Sequence, residues 1–494
     1  MHPTIRKLIL FSFFILTATA SASSAERTPF KCPTYIDTVV PAGQDGWYGK
    51  REPGDPFLDT MHKVHDTLFK CSSIKSLKLR VSSLGCSQHP ERYNFPLKHP
   101  SGSHYPSQLE ALDLEGYEFN EMPWQEARNI GRYGSTLDRY LDWVYEGKAW
   151  NWLKGLRSTE AQRNLTNLDL WLEAMDFSKI EKFVITPSHE TETPNITTFV
   201  PHLKSLKSFK TYGSWAKNFI LALPSNSLTH LSWIRSGQTG ASILPILRHH
   251  AESLTSLEVR EPETTYRQRR VMTPDQLSAL ASMCPNLKSL TFDINQNGTW
   301  GWDHLKILAT EFPNLENATI FYEEASECRR QLDQAKQQLT RLHEMMVMED
   351  GSNCKGAESL ANPHLNVSSV REPFEFLIKA NTEAGGKLRK VVFYSGGWER
   401  PWDGAMLVYD DWMDEHRSWA VCEAIEGDGG PVEGFDKIDK VEVGDKLFVC
   451  QDERGKRYRV FSATKEGTRA TVWRNMRLDE KNKELLKRAS NMEL

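Results

Sequence analysis

Between residues 74 and 320 the apolar positions follow one phrase: an apolar residue, two spacers, a second apolar residue, one spacer, a third. It reads Ile74, Leu77, Leu79; Leu109, Leu112, Leu114; Ile180, Phe183, Ile185; and Leu206, Phe209, Thr211. It continues as Leu228, Leu231, Trp233; Leu254, Leu257, Val259; Leu287, Leu290, Phe292; and Leu315, Ala318, Ile320. From Ile180 the starts lie 26, 22, 26, 33 and 28 residues apart. The last two positions of each copy alternate, which is strand periodicity. Helical stretches lie between copies: 241–251, 302–311, and 273–283, where Thr273 stands as N-cap and Pro274 at the first helical position. One strand and one helix cannot bury their apolar faces alone, but stacked copies bury a continuous core. The expected fold is therefore α/β, a curved solenoid with a parallel β-sheet on its concave side. The earlier spacings of 35 and 71 residues imply insertions or missed repeats.

The pattern stops after Ile320. Residues 323–349 are charged, with Leu332, Leu339, Leu342 and Met346 at helical spacing, and read as one amphipathic helix followed by a loop. The phrase resumes once, with a helix at 373–380 and Leu388, Val391 and Phe393 as the strand. Farther on, 446–450 and 457–461 flank Asp452-Glu-Arg-Gly455 and predict a hairpin. The expected divisions are an address segment at 1–25, an N-terminal cap at 26–70, repeats at 71–322, a helical insert and loop at 323–370, a further repeat at 371–396, and a small, mainly β C-terminal capping unit at 397–494.

The sharpest copy is Cys284-Pro-Asn-Leu-Lys-Ser-Leu-Thr-Phe292, and Phe312-Pro-Asn-Leu-Glu-Asn-Ala-Thr-Ile320 repeats it. This phrase resembles the leucine-rich repeats, specifically the cysteine-type, ribonuclease-inhibitor-like class found behind F-boxes in fungal proteins. No recognisable F-box precedes Cys71. The resemblance implies a macromolecular binding module, and a free, buried thiol at Cys284.

The N-terminus changes where such a module would work. Arg6 and Lys7 precede an apolar run from Leu8 to Leu16, and small residues follow to Ala25. That order is expected of a secretory signal peptide cleaved after Ala20, Ala22 or Ala25, and the run is too short to span a membrane. Sequons at Asn164, Asn195, Asn297, Asn317 and Asn366 agree with export. So do eight cysteines, with Cys71–Cys86, Cys328–Cys354 and Cys422–Cys450 as candidate bridges and Cys32 unassigned. Sixty-one basic residues against 65 acidic ones give a net charge of −4, with no basic excess to hold nucleic acid.

Chemistry is scarce. The sequence carries no nucleophile elbow, phosphate loop, zinc-protease motif or dinucleotide fingerprint, and no enzyme, cofactor or metal is expected. The acidic run Asp410, Asp411, Asp414, Glu415 beside Trp402 and Trp412 would suit a secreted hydrolase or carbohydrate-binding site, and reads more simply as a solvated helix start. His249 and His250 point in different directions on a helix and read as a surface or partly buried pair. Binding residues are expected where strand side chains turn away from the core: Lys210, Tyr212, His230, Ser232, Glu258, Arg260, Thr291 and Asp293. Tyr212 and Arg260 are the natural anchors. The expected partner is a protein or a cell-wall carbohydrate outside the cell.

Overall fold

The computed structural model describes residues 32–40, 56–81, 104–106, 108–117, 119, 166–187, 196–237, 242–262, 269–296, 298–323, 365–396, 417–424, 439–443, 446–452, 458–463 and 469–474. In chain order the elements begin with β1 (Tyr35–Val40), α1 (Pro56–Lys70), β2 (Ser76–Val81), β3 (Ala111–Glu115), α2 (Asn167–Ala174) and β4 (Lys182–Thr186). A 3₁₀ turn at Thr197–His202 leads to β5 (Ser208–Tyr212), α3 (Ala216–Ala222) and β6 (His230–Ile234). Then come α4 (Leu244–Leu247), a 3₁₀ turn at Arg248–His250, β7 (Ser256–Arg260), α5 (Pro274–Met283) and β8 (Ser289–Ile294). The series closes with α6 (Trp302–Thr310), β9 (Asn317–Tyr322), α7 (Val367–Glu383), β10 (Lys390–Ser395), β11 (Ser418–Ala424), β12 (Asp439–Val443), β13 (Lys446–Asp452), β14 (Tyr458–Ala463) and β15 (Arg469–Arg474).

Strands β1 to β10 stand side by side in sequence order, every neighbour parallel, and β11, β13 and β12 extend the same sheet antiparallel. One strand is added per turn of chain, which is solenoid order. Neighbouring strands sit about 4.8 Å apart, whereas packed helices need roughly 8–10 Å. An array with strands on one side and helices on the other therefore bends around its sheet.

The alternating strand positions face inward as the pattern requires: Leu77 and Leu79, Leu112 and Leu114, Phe183 and Ile185, through Val391 and Phe393, are all buried. Each such side chain contributes about 1.5–3 kcal/mol by leaving water. A hydrogen-bond lattice sets the register of each new turn. Lys207 O accepts from the amides of Thr229 and His230, Thr229 O from Thr255 and Ser256, Thr255 O from Lys288 and Ser289, and Lys288 O from Glu316 and Asn317. The repeated Pro-Asn-Leu phrase has its cause here: the Asn286 and Asn314 amides donate to Glu252 O and Pro285 O of the preceding turn. Cys284 is a free, buried thiol in the turn after α5, and Phe312 is buried at the matching place of the next turn. Burial pushes the Cys284 thiol up to about 11. Thr273 caps α5 in a reciprocal capping box with Gln276, as its sequence predicts.

The irregular spacings resolve as insertions. β3 pairs directly with β4, Ala111 opposite Lys182, so no strand stands between them in the sheet across the 71-residue interval. β10 pairs directly with β9, and Glu316 O accepts from Arg389 and Lys390 in the same lattice, so the repeat does resume after the insert. It starts earlier than expected, because Asn366 caps α7 and the helix runs through Pro373.

Three expectations are corrected. Cys71 pairs with Cys32, not Cys86: α1 delivers Cys71 just ahead of β2, and Cys32 lies just ahead of the parallel β1, which brings their Cα atoms to 5.4 Å. The residues 26–70 expected as a cap thus include β1, the first strand of the sheet. The predicted 446–450/457–461 hairpin does not form. Lys446–Asp452 pairs with β12 and β11, and Tyr458–Ala463 pairs with β15. β12 takes that place beside β13, in antiparallel register from Asp439 opposite Cys450 to Val443 opposite Lys446. Cys422 and Cys450 stand opposite each other on β11 and β13 and are bridged, with Cα atoms 4.1 Å apart. Cys86, Cys328 and Cys354 lie outside the described residues.

Candidate binding face

The outward side chains of the strands form rows across the sheet, two of which run through its middle. One row runs Lys182, Ser208, His230, Ser256, Ser289, Asn317, Lys390; the next runs Val184, Lys210, Ser232, Glu258, Thr291, Thr319, Val392. Most of these side chains are half-buried, while Lys182, Lys210 and His230 are exposed. Short hydroxyl side chains occur at matching positions of successive strands, so this middle stretch is polar and shallowly contoured.

The expected site residues divide. Lys210, Tyr212, His230, Ser232, Glu258 and Thr291 lie on this face with part of their surface open. The guanidinium carbon of Arg235 stands 5.8 Å from the Tyr212 ring centroid, and Arg235 Nη1 donates to the Tyr212 hydroxyl at 3.3 Å. The Ser232 hydroxyl donates to one Glu258 oxygen, and Arg260 Nε donates to the other at 2.7 Å. Burial alone would push the Glu258 carboxyl up; the charge of Arg260, the Ser232 hydroxyl and Lys210 outweigh it and hold the group below the usual carboxylate range. His230 bonds Thr229 Oγ1 through Nδ1 at 2.8 Å.

Arg260 and Asp293 are not open anchors. Only 7% of the Arg260 side chain is exposed; its guanidinium lies on the Phe321 ring, 3.8 Å from the centroid, and Phe321 stacks on Tyr394 at 4.8 Å. Asp293 is buried beneath Arg269, 3.0 Å away. Arg269 also donates to the carbonyls of Ile294 and Phe321, so it clips the ends of two neighbouring strands together. Sequence reasoning assigned these residues outward correctly from strand parity, but Arg269, distant in sequence, closes over Asp293. It also passed over Lys182, which the register with Ser208 places on the same face.

His250, expected at the surface or partly buried, is fully buried, with Nε2 3.2 Å from Ile220 O. Burial pushes its imidazole down to about 4. His249 Nε2 bonds Leu223 O at 2.7 Å, so the pair joins one turn to the last turn of the preceding helix. Among the described residues no group of three His, Cys, Asp or Glu side chains is placed to hold a metal. No described helix is long and apolar enough to cross a membrane. Of the sequons, Asn317 lies on the outward face of β9 and Asn366 accepts the Ser369 amide as the cap of α7. Asn164, Asn195, Asn297 and the acidic Asp410–His416 run lie outside the described residues.

No protein-family model matches this chain, and no curated protein matches it. Among solved structures, the crystal structure of the leucine-rich repeat-containing protein LegL7 from Legionella pneumophila is similar to it. The two share 12% identity, with a TM-score of 0.31, over 68% of this chain and 79% of the other. At that score the likeness adds nothing to the fold reading, which rests on strand order and repeat.

Proposed function

We propose that this chain is a secreted leucine-rich-repeat glycoprotein without catalytic activity of its own, which binds another protein through the outward face of its sheet. One observation carries the reading. Strands in register present contiguous rows of partly open side chains, and the described helices bury their apolar residues in the core beneath the sheet. Such a surface is broad and gently concave, suited to a macromolecule rather than to the enclosed pocket that small ligands favour. The bridges Cys32–Cys71 and Cys422–Cys450 support an oxidising compartment. The resemblance of the Cys-Pro-Asn-Leu phrase to cysteine-type repeats supports the class.

The test is capture of partners from secreted and cell-wall fractions by the full chain, compared with two variants. Ser256→Trp puts a bulky group in the middle of the face, and Lys306→Trp puts one on the exposed side of α6. Loss of capture by Ser256→Trp alone is the expected result. Capture that survives Ser256→Trp but not Lys306→Trp places the interface on the helical side and overturns the proposal.

A further inference from the structure

Most charges on the outward face of the sheet are neutralised within it. Asp37 pairs with Arg80 at 2.6 Å, Asp113 with Lys78 at 3.2 Å, Glu258 with Arg260 at 2.7 Å and Glu423 with Lys390 at 2.9 Å. Three adjacent basic residues on β4, β5 and β6 make no such contact pair, although the charge of Lys210 reaches Glu258 and Glu115 from farther off. Lys182 and Lys210 are exposed and make no ion pair with any described carboxylate, and His230 beside them is bonded only to a neutral hydroxyl. Lys182, Ser208 and His230 occupy one row, and Lys210 lies one step along its strand from that row. The Tyr212 ring, backed by Arg235, borders the group.

From this charge imbalance we infer that β4–β6 receive an acidic segment of a protein partner. The inference rests on the reading of this face as the binding surface. The extent of the patch narrows the ligand. Three strands at about 4.8 Å spacing span roughly 10 Å, and on both sides the cations are already paired: Lys78 with Asp113, Arg260 with Glu258. A long polyanion laid across the sheet gains, among the described residues, no unpaired cation beyond the strip. A peptide with one or two acidic side chains spans only the basic strip, while Tyr212 and the hydroxyls of Ser208 and Ser232 serve its backbone. Fields of this kind act chiefly on association rate and partner choice, and they weaken as salt approaches the physiological range.

The experiment uses the full chain and fluorescence anisotropy with a labelled Gly/Ser octapeptide carrying two central glutamates, its counterpart with two glutamines, and a labelled heparin oligosaccharide. The glutamate peptide is expected to bind at low salt, the glutamine peptide not to bind, and Lys182→Glu/Lys210→Glu to weaken the glutamate peptide by about tenfold or more. Lys306→Glu, on the helical side, is expected to leave binding unchanged. Equal binding of the two peptides, equal binding by the double variant, or tighter binding of heparin than of the glutamate peptide overturns the inference. The two proposals fail separately. A partner lost with Ser256→Trp but kept by the double lysine variant preserves the binding face and removes the acidic partner. A partner kept by Ser256→Trp removes the face itself.

Discussion

Asn381 provides a quantitative test of how the last parallel strand is held. It sits near the end of α7, 1% exposed, and its amide reaches two elements at once. Nδ2 donates to Ala309 O at the end of α6, at 2.9 Å, and Oδ1 accepts the Leu388 amide ahead of β10, at 3.0 Å. Replacing it with alanine leaves a buried carbonyl and a buried N–H without partners. Each orphaned group costs about 1–3 kcal/mol, so Asn381→Ala should lose about 2–6 kcal/mol. Gly386→Ala should act through the same residue, because a Cβ there would stand 2.1 Å from Asn381 Nδ2. Urea unfolding gives the free energy, and amide exchange shows where it is lost. Because neighbouring repeats are coupled locally, exchange should quicken in β10 while β5 and β6 stay protected. A loss below about 1 kcal/mol, or exchange raised equally along the sheet, would refute the view that Asn381 anchors the resumed repeat.

Two further outcomes follow from buried charge. Arg269→Met removes the guanidinium from buried Asp293, whose Oδ2 also accepts from the Glu261 amide, and should cost about 3–5 kcal/mol; Arg269→Met/Asp293→Asn should recover much of that in a double-mutant cycle, and additive losses would count against a coupled pair. His250 is held down to about 4 in the folded chain by burial, while the unfolded chain takes up a proton near 6.5; stability should therefore fall as pH drops from about 6.5 to 4, by about 3 kcal/mol, and His250→Gln should flatten that segment of the pH–stability curve measured by chemical denaturation.

Strand positions were legible in the sequence because a strand buried on one face must alternate, and that alternation is local. The same locality exposed the Thr273 cap and the outward parity of Lys210, Tyr212, His230 and Ser232. The Pro-Asn-Leu phrase was visible as a repeat, but its purpose, an asparagine amide reaching back to the carbonyl of the turn before, appeared only with two turns stacked. Tertiary structure alone decided the rest, since it joins residues that are remote in the chain. Cys71 met Cys32 across parallel β1 and β2 rather than a nearer cysteine, and Lys446–Asp452 paired with β11 and β12 rather than with the strand its flanking turn implied. Arg260 and Asp293 point away from the core as parity demands, yet Phe321 and Arg269 enclose them. Parity determines the face a side chain leaves from; neighbouring turns determine whether water or a partner can reach it.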